Sequence, residues 1–144
     1  MSAEQNKSIV YRWVEDAWNH GDFSQAPSLY PADYVLHDTS SPEPFRGPEG
    51  LRGFITAFRT AMPDLHMTIE QIVAEGDCVA WRFQCQGTQT GPLQTIPPSG
   101  RRAVVTGTVM SRFAGGHWVE DYSNADQLGM LVQFGVIPAL APAP

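Results

Sequence analysis

Hydrophobic and polar positions divide the chain into a helix-forming first half and a strand-forming second half. Apolar residues recur at three- and four-residue spacing over 9–18 and again over 51–58, which predicts two amphipathic helices. Gly21 is suited to end the first of them in a left-handed conformation, and Pro48 is suited to the first turn of the second. A short helical turn is predicted over 24–30.

The strand-forming half consists of two hairpins. Its four alternating segments are joined in pairs by short turns that contain glycine, and they lie at 67–74, 79–86, 102–113 and 117–124. A brief earlier strand is predicted at 33–37, before a proline-rich loop at 38–48. Helices followed by an antiparallel sheet predict an α+β domain, with its open end as the expected place of a small-molecule pocket. We expect a single domain over 1–137 and a Pro/Ala-rich tail over 138–144.

Composition and charge exclude several classes of function. The hydrophobic fraction of 42% among 144 residues is that of one folded domain. A formal net charge of −6 argues against a nucleic-acid partner, which requires clustered basic residues. No apolar run is long enough to span a membrane, and Glu4, Glu15 and Asp16 lie among the first twenty residues, where a signal peptide would be apolar, so we expect a cytoplasmic protein. Cys78 directly precedes the strand predicted at 79–86 and Cys85 lies within it, so the two cannot pair along one extended segment and both are expected to be reduced.

The chemistry available to the chain is acid–base chemistry. The four histidines have neither the spacing nor the cysteine partners of a zinc site, and no glycine-rich phosphate loop is present. We therefore expect no metal and no cofactor. Aspartate, glutamate, histidine and arginine remain as the proton-transferring and anchoring groups.

Strand alternation selects candidates at the end of the last strand. If Trp118 and Tyr122 face the core, then Asn124 and Asp126 share that face, provided that no bulge intervenes. Asp126 also precedes the apolar segment LGMLVQFG, where aspartate is a preferred helix N-cap. The pattern alone favours capping over catalysis at this position.

Two further positions have open alternatives. His37 ends the short first strand, where it either lies at the mouth of the pocket or forms an ordinary loop hydrogen bond. Arg82 alternates with Trp81 and Phe83, so it lies either on the outer face of the sheet or in a polar part of the pocket. The pattern favours the outer face or the rim for Arg82.

Seven stretches in order resemble the SnoaL-like polyketide cyclase family, also called ester cyclases. They are WNHGD (18–22), YVLHD (34–38), GPEGLRGFITAFRTAMPDL (47–65), EGDCVAWRF (75–83), GTQTG (87–91), PPSGR (97–101) and DQLGMLVQFG (126–135). The resemblance implies the nuclear-transport-factor-2-like cone, in which N-terminal helices pack in the concave face of a curved antiparallel sheet. It also implies cofactor-free closure of a ring in a small hydrophobic, polyketide-like substrate by intramolecular aldol condensation.

The same resemblance implies roles for particular residues. An aspartate at the end of the last strand acts as general acid/base in the characterised relatives, and Asp126 matches it best, with His37 as a second catalytic candidate. The expected substrate-binding residues are Asn124, Tyr122, Trp118, Arg82, Gln89 and Met110. Gln89 stands where the family often has histidine, and the strand 104–110 has no histidine, although the characterised cyclases carry one there. The family commonly pairs through the outer face of the sheet, which implies a homodimer.

Three alternatives remain open at this stage. The same fold supports isomerases and epoxide hydrolases. An epoxide hydrolase requires paired carboxylates with an arginine between them, and no second pocket carboxylate is evident beside Asp126. The chain is alternatively a non-catalytic protein that binds a hydrophobic metabolite.

Overall fold

The chain begins with a helix whose last turns widen. The computed structural model describes residues 2–140, so Met1 and residues 141–144 of the predicted tail lie outside the described residues. α1 (Ala3–Trp13) continues as a π-helical segment, Val14–Asn19. The Gln5 N–H donates to the Ser2 hydroxyl at 3.1 Å, and the Ser2 N–H donates to the Gln5 side chain at 2.8 Å. This capping box satisfies two backbone donors at the start of the helix.

The remaining elements agree largely with the sequence pattern. In chain order they are α2 (Ala26–Leu29), β1 (Val35–Asp38), β2 (Phe45–Arg46), α3 (Gly47–Ala61), β3 (His66–Glu75), β4 (Cys78–Thr88), β5 (Arg102–Ala114), β6 (His117–Ala125) and α4 (Gln127–Gln133). The two amphipathic helices and the four long strands are confirmed, and the apolar segment after Asp126 forms α4. β2 lies inside the predicted loop, because two residues are too few to produce an alternating pattern.

The six strands form one sheet in the order β2-β1-β6-β5-β4-β3. β1 runs parallel to β6, and every other pairing is antiparallel. The two hairpins supply four consecutive neighbours, while β1 joins the far side of the sheet beside β6. The predicted α+β class is therefore confirmed, with a sheet that is mixed rather than wholly antiparallel.

The helices cover the inner face of this sheet. α1 and the π-helical segment contact β3, and α4 contacts β5. Buried aromatic rings link the helical layer to β6: the Tyr30 ring centroid lies 4.7 Å from that of Tyr34 and 5.2 Å from that of Trp118. No helix within residues 2–140 has both the length and the apolar character that crossing a membrane requires.

A bulge in β6 sets which of its side chains face inward. The register runs from Arg112 opposite Glu120 to Phe113 opposite Trp118, so Val119 is an extra residue on β6. An extra residue reverses the alternation on one side of the bulge. Trp118 and Asp121 are therefore both buried.

The reversal corrects the predicted face of the strand. Tyr122 is 52% exposed and Asn124 is also exposed, whereas Ser123 is buried. The prediction that Tyr122 and Asn124 share the core face with Trp118 was wrong, because the side-chain alternation is not continuous through Val119.

Asp121 is the acceptor of a buried hydrogen-bond cluster. The Tyr34 hydroxyl donates to its Oδ2 at 2.5 Å, while the Ser111 hydroxyl and the Trp118 indole donate to its Oδ1 at 2.5 and 2.8 Å. The Trp81 indole in turn donates to Ser111 at 3.0 Å. Burial raises the pKa of the Asp121 carboxyl from 3.8 to about 6, against the opposing effect of these hydrogen bonds. Asp121 is only 4% exposed, so its carboxyl group belongs to the core of the protein.

The raised pKa predicts a specific dependence of stability on pH. Between pH 4 and 6 the folded chain retains a proton on Asp121 that the unfolded chain releases, so the free energy of unfolding falls as the pH rises. The contribution is roughly 3 kcal/mol at most, at about 1.4 kcal/mol for each pKa unit. It is present below pH 4 and absent above pH 6.

Urea unfolding of the wild type and of Asp121→Asn across pH 4–7 measures this effect. The carboxyls of Asp22, Asp64 and Glu120 have lowered pKa values and act in the opposite direction, but they are common to both proteins. We expect the wild type to lose stability relative to Asp121→Asn from pH 4 to 6. A difference that stays constant with pH would show that Asp121 does not titrate in this range.

Candidate active site

A largely apolar cavity lies between the helices and the inner face of the sheet. It contains about 520 Å³ of space free of atoms, counting its opening to solvent. Its lining residues are Trp18, Asp38, Phe54, Phe58, Met62, Met67, Trp81, Phe83, Cys85, Val105, Val109, Ser123, Ala125, Gln127 and Met130. Only a few of these side chains are polar, so each of them is a candidate for chemistry.

Asp38 is the carboxylate in the cavity wall. It is the last residue of β1 and is only 5% exposed. Its Oδ2 accepts hydrogen bonds from the Ser40 N–H, at 3.0 Å, and from the Ser40 hydroxyl. Its Oδ1 is buried and has no hydrogen-bond partner among the described residues. One oxygen is thus held by the loop, while the other is free to accept a proton or a donor from a ligand.

Two neutral polar side chains share the cavity with Asp38. Ser123 lies opposite Asp38 in the parallel register of β1 and β6, and it is 8% exposed. Gln127 is the first residue of α4. Neither side chain makes a hydrogen bond to any other described residue, so both are free to donate to a bound molecule.

The structure places Asp126 outside this cavity lining. Its carboxylate is exposed and accepts a hydrogen bond from the Gly129 N–H at 2.9 Å, which makes it the N-cap of α4. The capping role that the pattern favoured is therefore confirmed. Its role as general acid/base stays a prediction, and the position of its carboxylate gives that role no support.

His37 and Tyr122 lie together on the outer face of the sheet. Their rings are stacked with centroids 4.3 Å apart, and the His37 Nε2 lies 2.9 Å from a Glu120 carboxylate oxygen. Side chains alternate along β1, so His37 points away from the face that carries Asp38. The expectation that His37 lies at the mouth of the cavity is therefore wrong.

The other predicted binding residues also lie outside the cavity lining. Met110 is 52% exposed, and Arg82 pairs with Glu70 at 3.2 Å, which confirms the outer-face alternative for Arg82. Gln89 is fully buried and holds the loop before β5, donating to the Pro97 carbonyl at 3.2 Å and accepting from the Ser99 N–H at 3.2 Å. Asn124 is exposed, and Trp118 packs in the core beside Asp121.

Strand alternation in the sequence was enough to indicate that Asp38 faces the core, although Asp38 was not among the predicted site residues. Leu36 is apolar and buried, and Asp38 lies two residues later on the same strand, so both side chains share the inner face. His37, the titratable residue chosen at this strand end, faces the other side of the sheet, and the inward-facing residue is its neighbour Asp38. No comparable signal identified Ser123, because its face depends on the bulge at Val119.

The cavity offers neither a metal site nor a reactive thiol. Within residues 2–140, no three His, Cys, Asp or Glu side chains converge closely enough to hold a metal ion. Cys85 lines the cavity, but burial raises the pKa of its thiol to about 12, so it remains protonated and unreactive at neutral pH. Both Cys78 and Cys85 are free, as predicted.

Gly107 shapes one wall of the cavity. It lies on the inner face of β5, where an added Cβ would be 2.5 Å from the Phe83 ring and 2.9 Å from the Asn124 carbonyl oxygen. We expect Gly107→Ala to lower the free energy of unfolding by about 1–3 kcal/mol through overpacking. Phe83→Leu should restore part of that loss in the double variant, because the two sites are in contact.

Chemical unfolding of the single and double variants tests this contact. Gly53→Ala serves as the control, since nothing lies within 4 Å of a Cβ at that helical position. The control substitution should stabilise the protein by up to about 1 kcal/mol. Strictly additive effects of Gly107→Ala and Phe83→Leu would contradict this account of the cavity wall.

Comparison with known proteins agrees with this fold. TsrD from Streptomyces laurentii is 27% identical over 95% of this chain and 99% of its own, with a TM-score of 0.84. IdmH from Streptomyces antibioticus, described as a candidate polyketide cyclase, is 32% identical over 90% of this chain and 98% of its own, with a TM-score of 0.75. A Catenulispora acidiphila protein described as having a ketosteroid isomerase-like fold is 21% identical over 93% of this chain and 97% of its own, with a TM-score of 0.74, which indicates the fold alone.

No curated protein matches the chain in sequence. The sequence profile described as SnoaL-like polyketide cyclase matches residues 8–134, which is most of the chain. The solved structures above share its helices and sheet, and the resemblance seen in the sequence motifs is therefore confirmed. The chain belongs to the SnoaL-like polyketide cyclase family, with the nuclear-transport-factor-2-like fold.

Proposed function

We propose that the protein is a cofactor-free acid–base enzyme that closes a ring in a small hydrophobic substrate, with Asp38 as the proton-transferring group. The observation that carries the proposal is the buried Asp38 carboxylate, whose Oδ1 has no partner among the described residues in a largely apolar cavity. A base with a free oxygen in a water-poor site is suited to remove a proton from carbon. Membership of the polyketide cyclase family supports the class of substrate and of reaction.

The reaction is an intramolecular aldol addition. Asp38 Oδ1 takes a proton from the carbon next to a carbonyl group, and the electron pair of that C–H bond forms an enolate. The enolate carbon then attacks a second carbonyl carbon of the same molecule, which forms the new C–C bond and leaves an alkoxide. The protonated Asp38 returns its proton to the alkoxide, so the carboxylate is regenerated and all atoms are retained.

The polar neighbours of Asp38 supply the other requirement of this reaction. Negative charge develops on the carbonyl oxygen during enolate formation, and donors placed at that oxygen lower the barrier. The Ser123 hydroxyl and the Gln127 amide are suited to this role, because both line the cavity and neither is engaged by another described residue. The apolar walls would hold the two reacting carbons close together, which raises their effective concentration.

Exchange of carbon-bound protons in α-tetralone tests the chemistry without knowledge of the natural substrate. This uncharged aromatic ketone has one acidic CH₂ group, and its deuteration in D₂O is followed by proton NMR. We expect the wild type to accelerate exchange and Asp38→Asn to lower the rate by a factor on the order of 10²–10⁴. Circular dichroism checks that the variant is folded.

Asp126→Asn is the matched variant for this test. Asparagine caps a helix about as well as aspartate, so this change should leave the fold intact and the exchange rate within about twofold of wild type. A loss of exchange in Asp126→Asn but not in Asp38→Asn would return the acid–base role to Asp126. No acceleration by the wild type would contradict the proposed chemistry and favour a non-catalytic binding protein.

We also propose that the protein forms a homodimer through the outer face of its sheet. Three apolar side chains on strands β3, β5 and β6 are about half exposed there: Val73 at 56%, Met110 at 52% and Tyr122 at 52%. Covering these apolar groups with a second copy of the chain removes them from water, which stabilises the dimer.

Light scattering coupled to size exclusion measures the assembly. We expect a mass of twice 15.8 kDa at micromolar concentration. Met110→Lys should shift the protein toward the monomer, whereas Tyr11→Lys, which places the same charge at an exposed apolar residue of α1, should not. A monomer mass for the wild type at all concentrations tested would exclude the dimer.

A further inference from the structure

The charge of Asp38 is not neutralised by the protein. Asp38 is only 5% exposed, and no Lys, Arg or His of the described residues forms an ion pair with it. Ser40 occupies its Oδ2, and its Oδ1 lacks a partner. A buried charge is costly unless it is paired or hydrogen-bonded, so a donor or a positive charge on a bound molecule would stabilise this oxygen.

The walls around Asp38 are rich in aromatic rings. Five of the lining residues are aromatic, and they come from the π-helical segment, α3 and β4: Trp18, Phe54, Phe58, Trp81 and Phe83. Aromatic rings attract organic cations through the negative charge of their faces, and tryptophan does so most strongly. A cavity with one buried carboxylate and several such rings offers two attractions for the same positive charge.

Other classes of ligand fit this combination less well. An anion would be repelled by Asp38 and by the net charge of −6. A neutral hydrocarbon would leave the Asp38 Oδ1 without a partner. A hard metal ion requires several oxygen ligands, and within residues 2–140 no three His, Cys, Asp or Glu side chains come together to supply them.

We propose that the cavity binds hydrophobic organic cations, with a protonated or quaternary nitrogen beside Asp38 and the apolar body against the aromatic wall. The inference rests on the proposed function in taking this cavity as the substrate site, and it narrows the substrate to nitrogen-bearing ketones. A C–H bond between an ammonium group and a carbonyl group is more acidic than that of an uncharged ketone. The charge that holds the substrate would therefore also assist the removal of the proton by Asp38.

Binding of two probes of equal shape tests the charge preference. Phenyltrimethylammonium and tert-butylbenzene differ in having nitrogen or carbon at the centre of the branched group, and Trp18 and Trp81 in the wall report binding by fluorescence. We expect the cation to bind at least about tenfold more tightly than the hydrocarbon, a difference of about 1.4 kcal/mol. Asp38→Asn should abolish this advantage by weakening the binding of the cation, while tert-butylbenzene should bind at least as tightly as it does to the wild type.

Asp77→Asn is the charge-matched control, because it removes one negative charge at an exposed turn between β3 and β4. It should retain the preference for the cation. Equal affinity of the wild type for both probes, or a preference that survives in Asp38→Asn, would overturn the inference. If Asp38→Asn does not fold, the comparison of the two probes on the wild type still decides.

The outcome can be separated from that of the acid–base proposal. α-Tetralone carries no charge, so its proton exchange tests the chemistry alone. Normal exchange together with equal probe binding would refute only the cation preference. Selective cation binding without proton exchange would refute the chemistry and leave a binding protein for organic cations.

Discussion

The extra residue in β6 determines which polar groups the protein buries. Because Val119 has no register partner, the strand turns Asp121 and Ser123 toward the helices and Tyr122 toward the outer face. Without the bulge, Tyr122 would face the core and Asp121 would face solvent. The hydrogen bonds that Asp121 accepts from Tyr34, Ser111 and Trp118 would then be lost. The bulge therefore sets both the polar part of the core and the neighbour that Asp38 has in the cavity.

The two buried carboxylates have opposite environments. Asp121 receives three hydrogen bonds from side chains of the core, so its oxygens are satisfied and the group joins β5 and β6 to the segment before β1. Asp38 receives its hydrogen bonds on one oxygen, from a single loop residue. A carboxyl group with saturated oxygens links the elements around it, whereas one with a free oxygen is available for a ligand or a proton. This contrast, rather than burial alone, separates the structural aspartate from the candidate catalytic one.

The inner face of the sheet lines the cavity, and the outer face carries the polar and half-exposed side chains. Inner positions of β4 and β5 are apolar apart from Ser111, several of them line the cavity, and Gly107 leaves room for the ring of Phe83 there. Outer positions carry ion pairs and half-exposed apolar groups, among them Arg82 and Met110. Because neighbouring residues of a strand face opposite sides, an error of one position moves a candidate residue from the cavity to the proposed dimer surface.

Local patterns in the sequence were enough for the α+β class, the two amphipathic helices, the hairpins and the N-cap at Asp126, because periodicity and capping depend on residues close together in the chain. Family motifs in order were enough for the family. The cavity wall was beyond those patterns. The pairing of Asp38 with Ser123 joins strands 85 positions apart, by the numbering of the two residues, and the bulge at Val119 exists only relative to its partner strand. Which face a side chain of β6 occupies is thus a property of strand pairing. For this reason the cavity lining contains Asp38 and not Asp126.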